Sequence, residues 1–359
     1  MKFTSKQVTT IIVSVAAVFI TMAVFTFVVG EDDDSTGDSN TEAVSPSDKP
    51  AAPADGATAG PVVAPVEEPA AKQLDSTDYL AVKKEVESDP YKELDELIGL
   101  KEVKDEVHDL VNFVKVQKMR EEQGLKVPKM SYHLVFTGSP GTGKTTVARI
   151  VARIYKDLGV LEKGHTVETD RSGLVAEYVG QTAVKTNAII DSALNGVLFI
   201  DEAYALVPEH AGSDYGQEAI STLLKRMEDD RDRLVVIIAG YTNEMKRFIN
   251  SNPGLQSRFN KYINFPDYSA DELFRIYELH AKKNQYQLNA EAGEYLRERL
   301  EYVVAHKDRN FGNGRYSRNL FEKSIQSQAN RLSGVSNPTS EMLSEITKED
   351  IEKALANTK

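Results

Sequence analysis

Residues 133–146 read His133-Leu134-Val135-Phe136-Thr137 and then Gly138-Ser139-Pro140-Gly141-Thr142-Gly143-Lys144-Thr145-Thr146. An apolar run thus passes directly into the pattern G-x-x-x-x-G-K-T, and Val147-Ala148-Arg149-Ile150-Val151 follows with helical character. A phosphate-binding loop needs this strand-to-helix setting. Its glycines let successive N–H groups turn inward, and the helix N-terminus adds partial positive charge. The loop residues Ser139, Pro140, Gly141, Thr142 and Gly143, with Thr146 just beyond, are therefore expected around a triphosphate. Lys144 is expected to reach the β and γ phosphates, and the Thr145 hydroxyl to complete the shell of a Mg²⁺ ion. ATP and Mg²⁺ are the cofactors implied.

A second signal supports hydrolysis. Val197-Leu198-Phe199-Ile200 is a continuous apolar run ending in Asp201-Glu202. Acids at the end of a buried strand emerge at the sheet edge where ligands of open α/β folds bind. Asp201 is expected to hold the metal, and Glu202 to orient and deprotonate an attacking water in line with the γ phosphate.

Around these motifs, apolar runs at 134–137, 165–169, 196–200, 234–239 and 262–265 alternate with helical stretches, among them 182–194 and 216–229. Short continuous runs of this kind indicate a parallel sheet, here of five strands, covered on both faces. From Ser269 onward only helices are expected, near 271–283, 290–306, 317–332 and 348–356, forming a separate all-helical lid. The core is bounded at 131–268 and the lid at 269–359. Upstream, 74–130 turns helical, with Leu100, Val103, Val107, Leu110, Val111 and Val114 at helical spacing. An amphipathic helix packed on the following domain is expected here, and the turn Ile98-Gly99-Leu100 is also where many P-loop ATPases cradle the adenine, which puts Ile98 and Gly99 among the expected nucleotide contacts.

The beginning of the chain has a different composition. Residues 8–29 form an uncharged apolar run of about 22 residues, long enough to cross a bilayer as a helix. It exceeds the usual length of a signal-peptide core, so an uncleaved anchor over 1–30 is expected. Residues 31–73 are rich in Asp, Glu, Pro, Ala and Ser, a disordered tether in expectation. Much of the formal charge of −12 sits there, while the remainder is mildly acidic. No basic stripe marks a nucleic-acid surface, and a nucleic-acid partner is not expected. Lys2 and Lys6 before the run, against Glu31-Asp32-Asp33-Asp34 after it, favour an outside catalytic unit by the positive-inside rule. The need for ATP favours the cytoplasm, and a single-pass protein with a cytoplasmic ATPase unit is the expectation. The chain has no cysteine, which removes disulfides, thiolate zinc sites and a Cys nucleophile. Its six histidines nowhere form H-E-x-x-H, which removes an in-chain zinc protease.

The stretches GSPGTGKTTVARIVARIY, DRSGLVAEYVGQTAVKT, VLFIDEAYAL, DYGQEAISTLLKRMED, LVVIIAGYTNEM and NPGLQSRF resemble the AAA+ ATPases of the CbbX/SpoVK group over roughly residues 90–335. The resemblance implies a P-loop AAA+ domain with a helical lid, working as a homo-oligomeric ring, usually a hexamer, on a protein client. It implies that Arg258 is an arginine finger reaching the γ phosphate of a neighbouring subunit. Arg315 matches the lid arginine called sensor 2, with Arg318 as runner-up. Tyr178 and Val179 match a pore loop that grips an extended polypeptide. At sensor 1 the asparagine common in the wider family is displaced, and Thr242 or Asn243 could substitute. Membrane-tethered protein remodelling is the function expected, with an ATP-gated assembly component of a secretion or envelope complex as the alternative.

Overall fold

The computed structural model describes residues 89–128, 130–178, 180–207 and 215–356. The expected anchor, the tether and the start of the helical linker lie outside the described residues. Among the described residues no helix is long and apolar enough to cross a membrane.

Helix α1 (Pro90–Glu96) starts where Asp89 accepts from the Tyr91 N–H and Pro90 occupies the first turn. Both features are stabilising at a helix start. A turn with positive φ at Gly99 and Leu100 leads into α2 (Lys101–Glu122), whose Val103, Val107, Val111 and Val114 are buried at helical spacing. The core then runs β1 (Leu134–Gly138), α3 (Lys144–Asp157), β2 (Thr166–Thr169), α4 (Arg171–Leu174), α5 (Thr182–Ala193) and β3 (Gly196–Ile200). After a 3₁₀ turn at Ala203–Leu206 come α6 (Gly216–Asp229), β4 (Leu234–Gly240), α7 (Thr242–Asn250), α8 (Pro253–Arg258) and β5 (Lys261–Phe265).

The five strands form one parallel sheet in the order β2-β3-β4-β1-β5. All residues of β1, β3 and β4 are buried, which is why they read as unbroken apolar runs. Alternate residues still divide between the faces, as the period of two requires. Phe136, Phe199, Ile237 and Ala239 join one apolar layer with α2 and α3, while Val135, Leu198, Ile200, Val236 and Ile238 join another with α6 and α7. Because every strand runs the same way, Gly138, Ile200 and Gly240 end at one sheet edge, and the site is built there.

The lid comprises α9 (Ala270–Lys283), β6 (Gln287–Leu288), α10 (Ala290–Ala305), α11 (Gly314–Leu332), α12 (Ser340–Ser344), β7 (Glu345–Ile346) and α13 (Lys348–Ala356). Ser269 and Glu272 cap α9 reciprocally. The expectation of an all-helical, separate lid is corrected in two respects. Strands β6 and β7 pair in parallel, a bridge of two residues each that is too short to leave a periodic signal. Leu273, Phe274, Tyr277, Leu296, Leu320 and Phe321 are also continuous with the apolar layer beneath β1, so the lid shares the core of the sheet domain.

Candidate functional site

The P-loop leaves β1 through glycines in conformations that other residues avoid, with φ of 148° at Gly138, 69° at Gly141 and 96° at Gly143. At Gly138 a Cβ would stand 2.3 Å from the Phe265 carbonyl oxygen, so neither torsion nor space admits a side chain. Helix α3 begins after Gly143 with no side-chain cap. Its first N–H groups therefore lack intrahelical partners and face the loop, a donor set suited to phosphate oxygens. Lys144 Nζ donates to the carbonyls of Gly138 at 2.9 Å and Ser139 at 2.7 Å. Burial lowers the pKa of its ammonium group, Asp201 opposes that shift and Arg315 adds to it. The Thr142 hydroxyl donates to the Ser139 carbonyl at 2.9 Å and braces the loop from within.

A cleft of about 260 Å³ opens over this loop. Pro140, Gly141, Gly143, Lys144, Thr145 and Thr146 form its floor, and Asp201, Glu202, Gly240, Tyr241 and Arg315 its walls. Glu202 has φ 48° and ψ 42°, the left-handed region, and its N–H donates to Asp201 Oδ1 at 3.0 Å. A non-glycine residue held this way is uncommon, and such conformations cluster at active sites. Gly240 has no room for a side chain, because Tyr204 and Met245 would lie within 3 Å of its Cβ. The strand end where the wider pattern carries asparagine is therefore followed in the cleft by Tyr241, which packs against Tyr204 at 6.2 Å. Thr242 and Asn243 face an adjoining cavity of about 210 Å³ instead.

The donor set suits a Mg²⁺-bound triphosphate: one hydroxyl at Thr145, one carboxylate at Asp201, free N–H groups and a lysine. Mg²⁺ usually retains several waters and takes few protein ligands.

Arg315 reaches the cleft, whereas Arg318 is exposed and pairs with Glu322 along the helix at 2.8 Å. The Ile98-Gly99-Leu100 turn packs at the rim: a Cβ on Gly143 would touch Leu100, and one on Gly99 would strike Glu272 of α9. Tyr178 is 68% exposed, which excludes a side chain tucked into the core. Its loop is held at the base by Thr182, which accepts from Ala176 N–H, and by Lys185, which donates to the Ser172 and Val175 carbonyls. Val179 lies outside the described residues.

Arg258 does not join the cleft. It precedes β5, whose Lys261 pairs with Leu134 and whose Phe265 pairs with Gly138. It therefore lies at the sheet edge opposite the P-loop, about 15 Å away by strand rise. Glu228 approaches its guanidinium at 3.5 Å, and its Nε is buried without a hydrogen-bond partner.

Sequence reasoning missed Asn313, Tyr268 and Asp267, which join the lid to the P-loop. Asn313 Nδ2 lies 3.3 Å from the Pro140 carbonyl and 3.0 Å from Asp267 Oδ1, and the Tyr268 hydroxyl donates to the Thr142 carbonyl at 3.3 Å. Burial pushes the Asp267 carboxyl up, but hydrogen bonds from Lys307, Ser139 and Asn313 outweigh it and hold the group below its usual range. The one sequence signal was an asparagine set between two glycines, Gly312-Asn313-Gly314.

Residues 134–267 match the family model described as ATPase family associated with various cellular activities, and residues 269–359 match the AAA lid domain. Stage V sporulation protein K of Bacillus subtilis is 45% identical over 252 residues, covering 70% of this chain and 77% of that protein. The ESX-3 secretion system protein EccA3 of Mycobacterium leprae is 43% identical over 284 residues, covering 74% of this chain and 44% of that protein. The ESX-1 secretion system protein EccA1 of Mycobacterium tuberculosis is 46% identical over 281 residues, with 74% and 48% covered. The chain thus spans about half the length of these secretion-system relatives. Among solved structures, the FIGL-1 AAA domain in complex with ADP superimposes with a TM-score of 0.54 at 18% identity, covering 81% of this chain and 93% of that one, a likeness of fold. Motifs, sheet order, lid and relatives agree that this chain belongs to the AAA family and is an ATP hydrolase.

Proposed function

We propose that the chain works as a homo-oligomeric ring, a hexamer in its usual form, that couples ATP hydrolysis to remodelling, unfolding or disassembly of a protein partner. Lys144 and the N–H groups of the P-loop bind the phosphates, Thr145 and Asp201 hold Mg²⁺, and Arg315 approaches the nucleotide from the lid. Glu202 takes the proton of the attacking water, and Arg258 of the neighbouring copy balances charge on the transferring oxygens. A guanidinium there stabilises the transition state more than the ground state.

The observation that carries the shared site is the position of Arg258. It stands at the end of the sheet opposite its own P-loop, too far to reach a nucleotide bound there. Head-to-tail association brings that end of one copy to the cleft of the next, which is how heterologous contacts close into rings. The test is Arg258→Ala: ATP binding persists while turnover falls by about a hundredfold or more. Unchanged turnover would remove Arg258 from the reaction.

For the partner, Tyr178 on its exposed loop supplies an aromatic grip that is indifferent to sequence. Tyr178→Ala is expected to keep ATPase activity and abolish work on the partner. Retained work would favour the second reading, an ATP-gated assembly component, which draws support from relatives named as secretion-system proteins. The apolar run at residues 8–29 would tether the ring to a membrane with the ATPase unit in the cytoplasm. Protease applied to intact cells should then leave residues 89–356 uncut, and their loss would reverse the orientation.

A further inference from the structure

We propose that Asn313 is a positioning residue that seats Arg315 over the nucleotide by clasping the main chain of the P-loop. The role rests on the reading that Arg315 contacts nucleotide.

Asn313 is fully buried, with φ 46° and ψ −123°. Glycine adopts that conformation freely and asparagine does so at a cost. Glycines flank it on both sides, yet the strained position carries a side chain. Every polar atom of that side chain is engaged. Nδ2 faces the carbonyls of Pro140 at 3.3 Å and Phe311 at 3.2 Å and Asp267 Oδ1 at 3.0 Å, while Oδ1 accepts from the Tyr268 N–H at 3.0 Å. The two amide protons are shared among three acceptors drawn from the P-loop, the lid loop and the connection between the domains.

The neighbouring contacts repeat the pattern. The Gly314 N–H donates to the Gly141 carbonyl at 3.0 Å, and the Tyr268 hydroxyl donates to the Thr142 carbonyl at 3.3 Å. Three successive P-loop carbonyls, Pro140, Gly141 and Thr142, thus each accept from a lid or connector group. A loop that turns its N–H groups toward phosphate turns its carbonyls away from it, and here the lid takes them. Gly141 leaves no slack, because a Cβ there would lie 2.1 Å from the Gly312 carbonyl oxygen. Arg315 follows Asn313 by two residues, in the first turn of α11. Any change in the P-loop peptides on nucleotide binding therefore moves the base of Arg315 directly, through hydrogen bonds rather than through the intervening helices.

The experiment uses the full chain with Mg²⁺ and a fluorescent ADP analogue, and compares Asn313→Gly, Arg315→Ala and the double variant. Glycine keeps the backbone conformation and removes the side chain with its bonds to Pro140, Asp267, Phe311 and Tyr268, so a residue serving the turn alone would tolerate it. The expected result is that Asn313→Gly stays folded with a lowered melting temperature, weakens ADP about tenfold, and adds nothing to Arg315→Ala in the double variant. Wild-type affinity in Asn313→Gly beside a weakened Arg315→Ala overturns the clasp. Additive losses also overturn it, since Asn313 would then act independently of Arg315. Wild-type affinity in Arg315→Ala overturns the underlying reading, and the inference with it. Should Asn313→Gly lose its helical signal, Asn313→Asp replaces it. It retains the acceptor for Tyr268 but turns a carboxylate oxygen on Asp267 and the Pro140 carbonyl, and a loss of about tenfold or more, again non-additive with Arg315→Ala, is expected.

Discussion

His133, just before β1, makes the stability of the fold depend on pH. The ring is 3% exposed, and its Nδ1 accepts from the Val236 N–H at 2.9 Å. Its other nitrogen donates to the Met227 carbonyl, and Phe259 packs on the ring at 5.9 Å. Burial lowers the pKa to about 4; the Met227 bond opposes the shift and the Arg258 charge adds to it. The unfolded chain, with the imidazole near its ordinary 6.5, binds more protons across the interval between the two values. Stability is therefore complete above the unfolded value and is lost as pH falls from about 6.5 toward 4. A shift of about 2.5 units corresponds to about 3 kcal/mol in all, most of it gone by about pH 4.5. Protonation would also set an N–H against the Val236 N–H and disturb the segment carrying Arg258. The assay is urea denaturation of the parent and of His133→Asn at pH 7 and about pH 4.5. Titration of the carboxylates is common to both proteins, so the parent should lose about 2–3 kcal/mol more than the variant. Parallel losses would refute the description of His133 as a buried neutral acceptor.

Two further outcomes follow from the lid. Gly141→Ala places a methyl 2.1 Å from the Gly312 carbonyl oxygen at a φ of 69°, so nucleotide binding should fall to background in fluorescence titration while the fold survives by circular dichroism. Arg331 forms a forked pair with Asp350, which is fully buried and also accepts from Thr347. Arg331→Met leaves that carboxylate without its cation and should cost about 3–5 kcal/mol in denaturant melts.

Much of this arrangement was legible in the sequence because buried parallel strands are apolar throughout. The runs ending at Thr137, Ile200 and Ala239 identify themselves, and the motif residues follow directly from their ends. Helix limits were close for the same reason, with α5, α6, α9 and α13 starting or ending where their apolar spacing does. What escaped was short or long-range. The paired strands at Gln287–Leu288 and Glu345–Ile346 hold two residues each, too few for a period. The five-residue helix α12 buries none of its residues. The contact between Asn313 and Pro140 spans 173 positions, and no local pattern encodes it. The loss of the strand-end asparagine could be seen in the sequence, with Thr242 or Asn243 as substitutes, but only packing shows Tyr241 in the cleft and why a side chain is excluded at Gly240.

A hydrolytic site completed by a second copy can be reconstituted by mixing two inactive variants. Glu202→Gln retains Arg258 but cannot activate water, and Arg258→Ala retains Glu202 but offers no guanidinium. Random co-assembly would join an intact cleft to an intact Arg258 at about a quarter of the interfaces. ATPase activity should return on mixing toward that fraction of the parent rate, whereas a mixture that stays inactive under conditions where the two variants co-assemble would show that no site is shared between copies.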